Sequence, residues 1–235
     1  MIEQIDFLVR VVAIGAALML IAQIAAGEMR ETVKYPLVAL SVGAVAYLIQ
    51  SNAMLMTEGP LEPWVDLVAI ATPFWIWLFA RRLFGREPER RIALVALAVL
   101  LTGWVLAHFV PLTGEAGFAL HQIAGLALIG DVVRIGMKQS KHEPGADPAV
   151  RKALPLAIGA LAGVILLAGS IGEVTGLYPG VELTIAVLVL LMTLFAGLAL
   201  LRTHPELLLE TEPAECEPVE DDDVSAAPDS GTESA

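Results

Sequence analysis

Seven runs of about twenty largely apolar residues, separated by short polar turns, leave this chain few ways to fold. Where water is absent the backbone must satisfy its own hydrogen bonds, and a run of that length does so as a helix crossing a hydrocarbon layer roughly 30 Å thick. The runs are 7–26, 35–56, 64–84, 92–110, 117–137, 153–171 and 181–201. Between them, Gly59-Pro60, segments 85–88, 111–114 and 144–148, and Tyr178-Pro179-Gly180 carry the glycines and prolines of turns. No internal repeat of solenoid length is present. Glu3 and Asp6 stand before the first run where a secretory leader carries bases, so that run reads as a retained helix. The expected fold class is all-α: a polytopic membrane protein, a bundle of about seven transmembrane helices covering residues 1–203.

Charge orients the bundle. Thirteen of the 14 basic residues, all but Arg10, fall at or beyond the finishes of the odd-numbered runs: Arg30 and Lys34, then Arg81, Arg82, Arg86, Arg90 and Arg91, then Arg134, Lys138, Lys141, Arg151 and Lys152, and finally Arg202. The connections after the second, fourth and sixth runs hold no Lys or Arg. The positive-inside rule then places the N-terminus outside and the C-terminus in the cytoplasm. The formal net charge of −12 misleads about this body, because eleven of the 26 acids lie between Glu206 and Glu233, leaving 15 against the 14 bases. Residues 204–235 are rich in Glu, Asp, Pro and Ser and hold too little apolar surface to offset the entropy of ordering. They are expected to form a disordered acidic cytoplasmic tail, either a solubilising appendage or a segment that docks on the basic loops or on a basic partner.

Ionisable groups inside spans are costly in lipid, which makes each a candidate for function. Asp6 and Arg10 stand one helical turn apart, and Asp131 and Arg134 are three apart near the inner end of the fifth run, so both couples are expected to form local intramembrane ion pairs. Towards the outer face, Glu58, Glu62, Asp66, Glu115, Glu173 and Glu182 gather without a loop cation, a setting for a cationic or protonatable ligand. His108 and His121 flank the turn between the fourth and fifth runs, where two imidazoles near carboxylates either bind a metal, though in no defined motif, or sense pH, or sit as ordinary interfacial histidines. Asp66, His108, His121 and Glu182 are the candidate ligand-recognition residues. In the third run Pro73 is followed by Trp75 and Trp77, which shape either a kinked lipophilic pocket or plain helix packing. Gln23, Gln50, Asn52 and Gln122 are suited to joining helices, and Gly159-x-x-x-Gly163 to a close helix approach.

No phosphate-cradling glycine loop, metalloprotease HExxH, nucleophile elbow or nucleic-acid-binding module is present, so neither catalysis nor direct nucleic-acid binding is expected. The single cysteine, Cys216, excludes an intrachain disulfide or a multi-cysteine metal site. No cofactor and no metal is expected.

Gly59-Pro60-Leu61, followed by the stretch from Ala71 through Thr72, Pro73, Phe74, Trp75, Ile76, Trp77, Leu78, Phe79, Ala80, Arg81, Arg82 and Leu83 to Phe84, resembles the membrane domain of membrane-bound AraC-type transcriptional regulators. The local likeness covers about 25 residues, and the arrangement of spans extends it to about residue 203. It implies a sensor of the bacterial inner membrane that passes a conformational change inward, but here no room for a helix-turn-helix domain follows Leu201. The expectation is therefore a non-enzymatic sensory or protein-interaction domain in the lipid bilayer, acting through a cytoplasmic or membrane partner, with a homo-oligomer among its assembly states. A small transporter or carrier, or an accessory subunit of a larger membrane complex, are the alternatives.

Overall fold

The computed structural model describes residues 2–27, 31–52, 54–56, 59–83, 86–139 and 178–202, together with Gly159, Gly163, Val164 and Leu167. The described residues are helical with no strand. In chain order the helices are α1 (Ile2–Ala26), α2 (Glu31–Gln50), α3 (Glu62–Ile70), α4 (Thr72–Leu83), α5 (Arg90–Phe109), α6 (Gly114–Gln139) and α7 (Tyr178–Arg202). Six helices, α3 and α4 together counting as one, are long and apolar enough to cross a membrane, as in a multi-pass membrane protein. The outward faces suit that solvent: Leu8, Val12, Met19, Leu94, Val95, Val105, Leu191 and Leu198 are all exposed. The expected run 153–171 lies mainly outside the described residues, as does the acidic segment 204–235.

α1 and α2, α2 and the α3–α4 pair, and α5 and α6 run antiparallel, whereas α1 and α7, and α4 and α6, run parallel. α1 packs between α7 and α2, α2 meets α3 and α4, α4 meets α6, and α6 meets α5, which also touches α3. The larger core joins Leu20 and Ile24 of α1, Leu37 and Leu40 of α2, Phe74 and Trp77 of α4, Leu100 of α5 and Ile129 and Val132 of α6. A second core seals α1, α2 and α7 through Ala13, Ala44, Leu48, Ile185, Ala186 and Val189. Small residues set the tightest crossing. A Cβ on Gly117 would stand 2.5 Å from the Ala107 nitrogen and 2.6 Å from the Gly103 oxygen, so the α5–α6 approach admits only glycine there.

Two prolines shape this bundle by removing a donor. Pro36 lies inside α2 and has no N–H for the Thr32 carbonyl four residues back; Arg82 of α4 supplies one instead, its Nη1 donating to Thr32 O at 2.8 Å. Pro73 divides the third span. The helix ends at Ile70 and restarts at Thr72, with the Phe74 and Trp75 amides turning to the Ala71 oxygen at 3.1 and 3.2 Å. The span expected as one helix over 64–84 is thus α3 and α4 in series. Gly43 of α2 passes the break, where a Cβ would run into the Thr72 hydroxyl.

The two ends of the bundle differ in charge. One end holds the starts of α1, α3, α6 and α7 and the finishes of α2 and α5, with Asp6, Asp66, Glu62, Glu115 and Glu182; it is called the carboxylate end below. The arginine end holds the opposite termini, with Lys34, Arg81, Arg82, Arg86, Arg90, Arg91, Arg134 and Arg202. There Lys34 Nζ donates to the Ala25 and Gly27 carbonyls at 3.0 and 3.2 Å, closing the unsatisfied finish of α1.

Candidate functional site

Asp6 and Arg10 project from one face of α1, and the local pair expected of them is the seed of a larger cluster. Arg10 is only 1% exposed, and its guanidinium uses three nitrogens on three helices. Nε donates to Asp6 Oδ2 at 2.8 Å. Nη1 donates to the Leu48 carbonyl at 3.2 Å and to the Ser51 hydroxyl, and Nη2 to the Glu182 carbonyl at 3.5 Å, with Glu182 Oε2 3.9 Å away. Asn52 Nδ2 adds a 2.8 Å bond to Asp6 Oδ2. A planar fork with several fixed donors is what allows one cation to tie α1, α2 and α7. Asp6 Oδ1, although buried, has no hydrogen-bond partner among the described residues.

The next residue along the α2 terminus starts a second group. Gln50 Nε2 donates to Asp66 Oδ1 at 2.6 Å, and His108 Nε2 lies 2.6 Å from Asp66 Oδ2. A contact this short between a ring nitrogen and a carboxylate oxygen is a hydrogen bond that one proton fills, carried by Nε2 when the carboxylate is ionised. Asp66 thereby fastens α3 to both α2 and α5. Trp104 supports the arrangement: its indole donates to the Pro63 carbonyl at 2.8 Å, and its ring lies 6.0 Å from His108, 5.8 Å from Trp64 and 5.2 Å from Phe109. His121 is buried on α6 behind the Gly103–Gly117 crossing, within the field of Asp66, and its Nδ1 has no hydrogen-bond partner among the described residues.

The four candidate recognition residues therefore divide. Asp66 and His108 are bonded, His121 is near their charge, and Glu182 belongs to the Arg10 group. Gln50, Ser51 and Asn52, three consecutive residues, join the two groups into one polar band across the carboxylate end. The band has a sealed half and an open half: the side chains of Arg10 and Asp6 are 1% and 7% exposed, those of His108 and Asp66 22% and 14%.

At the arginine end, Asp131 takes its cation from a neighbouring helix. The expected Asp131–Arg134 pair is replaced by Arg81 of α4, whose Nη2 and Nε reach Asp131 Oδ2 at 2.7 and 3.1 Å. The reason is geometric. Arg81 follows Phe74 and Trp77 on the buried stripe of α4 that faces α6, whereas Arg134 is exposed. Trp77 joins in, its indole donating to the same oxygen at 2.8 Å while the Arg81 guanidinium lies 4.9 Å from its ring centroid. The Trp75 and Trp77 rings pack against Phe74, at 5.3 and 5.9 Å, and Pro73 makes the helix break. Phe74 and Trp77 are part of the larger core, and Trp75 packs against it.

Gln50, Asn52 and the Gly159–Gly163 pair hold the joining places their chemistry suggested: Cβ atoms on those glycines would meet Val132 at 3.0 Å and Ile129 at 3.5 Å on α6. Gln23 is exposed, and the Gln122 side-chain oxygen has no hydrogen-bond partner among the described residues. Ser51 and Arg81 are the functional residues that sequence reasoning missed. Arg81 was legible in principle, because positions 74, 77 and 81 share one helix face; Ser51 left no signal beyond adjacency to Gln50 and Asn52.

Between the two ends the buried polar groups are few. Ser41 and Thr193 donate to carbonyls of their own helices, Leu37 and Val189, both at 2.9 Å, and Thr72 stands at the α3–α4 break. Among the described residues no group of three or more His, Cys, Asp or Glu side chains is placed to hold a metal ion. The arrangement can hold helices in register at both ends, and the Asp66–His108 pair is its more exposed part at the carboxylate end. No family model, no curated protein and no solved structure matches the chain.

Proposed function

We propose that this chain is a non-enzymatic membrane sensor domain, which reads a cationic or protonatable signal at the carboxylate end and passes a change in helix packing to a partner at the arginine end. In this reading the bundle has seven spans in a bacterial inner membrane, with the carboxylate end outside and the arginine end in the cytoplasm. The observation that carries it is the broken third span. α3 holds Asp66 in one polar cluster, α4 holds Trp77 and Arg81 in the other, and the chain between them is interrupted at Ala71–Thr72. A change at Asp66 that shifts α3 has a joint at which to become a movement of α4.

Topology has its own support. α6 finishes at the arginine end and α7 starts at the carboxylate end. Gly159 stands beside Val132 and Gly163 beside Ile129, the order of a segment antiparallel to α6. The positive-inside rule supplies the sidedness. The likeness of residues 59–84 to the membrane domain of AraC-type regulators points to the same class of function. A sensor is favoured over a carrier because the middle of the described bundle is apolar, without the chain of ionisable groups that an ion path uses.

The test is a distance measurement across the joint. Spin labels at Leu61→Cys and Glu87→Cys, in a Cys216→Ser background reconstituted into nanodiscs, report the span from end to end by pulsed electron resonance. Two populations are expected, with their ratio altered by Asp66→Asn. A single distribution that neither Asp66→Asn nor His108→Gln moves overturns the proposal; ion uptake into liposomes by the purified chain replaces it with a carrier.

A further inference from the structure

The cations of the arginine end fall into two classes. Arg81 is spent on Asp131, Arg82 on the Thr32 carbonyl and Lys34 on the end of α1. Arg86, Arg90, Arg91 and Arg134 are exposed, and none of their side chains makes a hydrogen bond or ion pair with another described residue, although the charge of Arg134 is felt at Asp131. They form one neighbourhood: the first three lie where α4 leads into α5, and α5 and α6 pack as an antiparallel hairpin that brings the finish of α6 alongside. Glu87 and Glu89, both exposed, offset this charge only in part.

The chain carries its own counter-charge to the same end. α7 finishes there at Arg202, and the following residues hold eleven acids from Glu206 to Glu233 without a Lys or Arg, the densest run being Glu220, Asp221, Asp222 and Asp223. Reach is sufficient. α7 meets α2, α2 meets α4 and α4 meets α6, so α7 lies three helix-to-helix steps from α6, roughly 30 Å at 8–10 Å per step. The twenty residues from Arg202 to Asp222 span up to about 70 Å extended and about 25 Å as a random coil.

We propose that the acidic segment 206–233 docks on Arg86, Arg90, Arg91 and Arg134 of its own chain and covers the arginine end. The alternative occupant of exposed arginines beside a bilayer is an anionic lipid headgroup. The tail is favoured because it is tethered, which replaces a bimolecular encounter with a high effective concentration, and because an acidic segment is repelled by an anionic leaflet and attracted by this patch. Docking withholds the arginines from any acidic partner until that partner competes the tail away. The inference stands on the charge map and does not depend on the sensor reading.

Cys216, the chain's only cysteine, lies among these acids and allows the test on the full chain. A benzophenone maleimide on Cys216, photolysed in phosphatidylcholine nanodiscs, is expected to crosslink to peptides containing residues 86–91 or 131–137. The crosslink is expected to be lost in Arg86→Gln/Arg90→Gln/Arg91→Gln, in Asp221→Asn/Asp222→Asn/Asp223→Asn, and at about 1 M salt, where screening acts within ~3 Å. It is expected to persist when phosphatidylglycerol is included. Crosslinks elsewhere, or crosslinks indifferent to both triple substitutions, overturn the proposal. Loss on adding phosphatidylglycerol makes the lipid headgroup the occupant, and a band joining two chains makes the occupant the tail of a second copy; either overturns intrachain docking.

Discussion

The molecule contains the same ion pair twice, in two settings. Arg10–Asp6 at the carboxylate end and Arg81–Asp131 at the arginine end have the same chemistry and nearly the same length, 2.8 and 2.7 Å. Their surroundings differ. The side chains of the first pair are 1% and 7% exposed, and Arg10 reaches three helices; those of the second are 20% and 26% exposed, and the pair joins two. A buried charge costs less as more of its donors and acceptors are met, in keeping with Arg10 recruiting Leu48, Ser51 and Glu182 while Arg81 has Asp131 and the Trp77 ring. The sealed pair is suited to holding α1, α2 and α7 together. The half-open one, like the Asp66–His108 pair, is partly exposed at the surface of the bundle.

The comparison breaks if the two pairs respond alike to truncation. Arg10→Ala leaves Asp6 buried without its cation and is expected to cost about 3–5 kcal/mol, read by reversible unfolding in bicelles. Arg10→Lys is expected to recover less than half of that, because a point charge cannot occupy three directions at once. A loss below about 1 kcal/mol for the alanine variant would mean that the cluster is not sealed. Arg81→Ala is expected to cost about 1–2 kcal/mol, discounted for the exposure of its pair, and the loss is expected to shrink at ~1 M salt, whereas the Arg10 loss is not. Equal salt sensitivity at both sites removes the distinction. The smallest effect is expected of Arg134→Ala, within about 0.5 kcal/mol, since the residue is exposed and Asp131 is held by Arg81.

Much of the scaffold was legible. Runs of apolar residues marked six helices that the structure describes, with ends shifted by a few residues: 7–26 became Ile2–Ala26, and 117–137 became Gly114–Gln139. The charged termini that lengthen these helices carry no hydropathy signal, but their amides and carbonyls still join the ladder. The break at Ala71–Thr72 was visible only as Pro73, because a proline reports a missing donor and not whether neighbouring helices will straighten or divide the span. Among site residues, Asp6 and Arg10 could be paired from their i,i+4 spacing. Asp131 was given to Arg134 by the same kind of spacing, and the structure gives it to Arg81, because spacing along one helix says nothing of a cation on another.

What the sequence by itself determined is what one helix at a time can express: length, apolarity, the alternation of basic and acid-lined turns, and the concentration of acids after Arg202. The tertiary structure decided which carboxylate meets which cation. These helices are apolar on nearly every side, so no sequence stripe states how each is rotated about its axis. That rotation is set by packing, at Gly117 against Ala107 and Gly43 against Thr72, and it is rotation that turns Arg10 towards Ser51, Asp66 towards His108 and Arg81 towards Asp131.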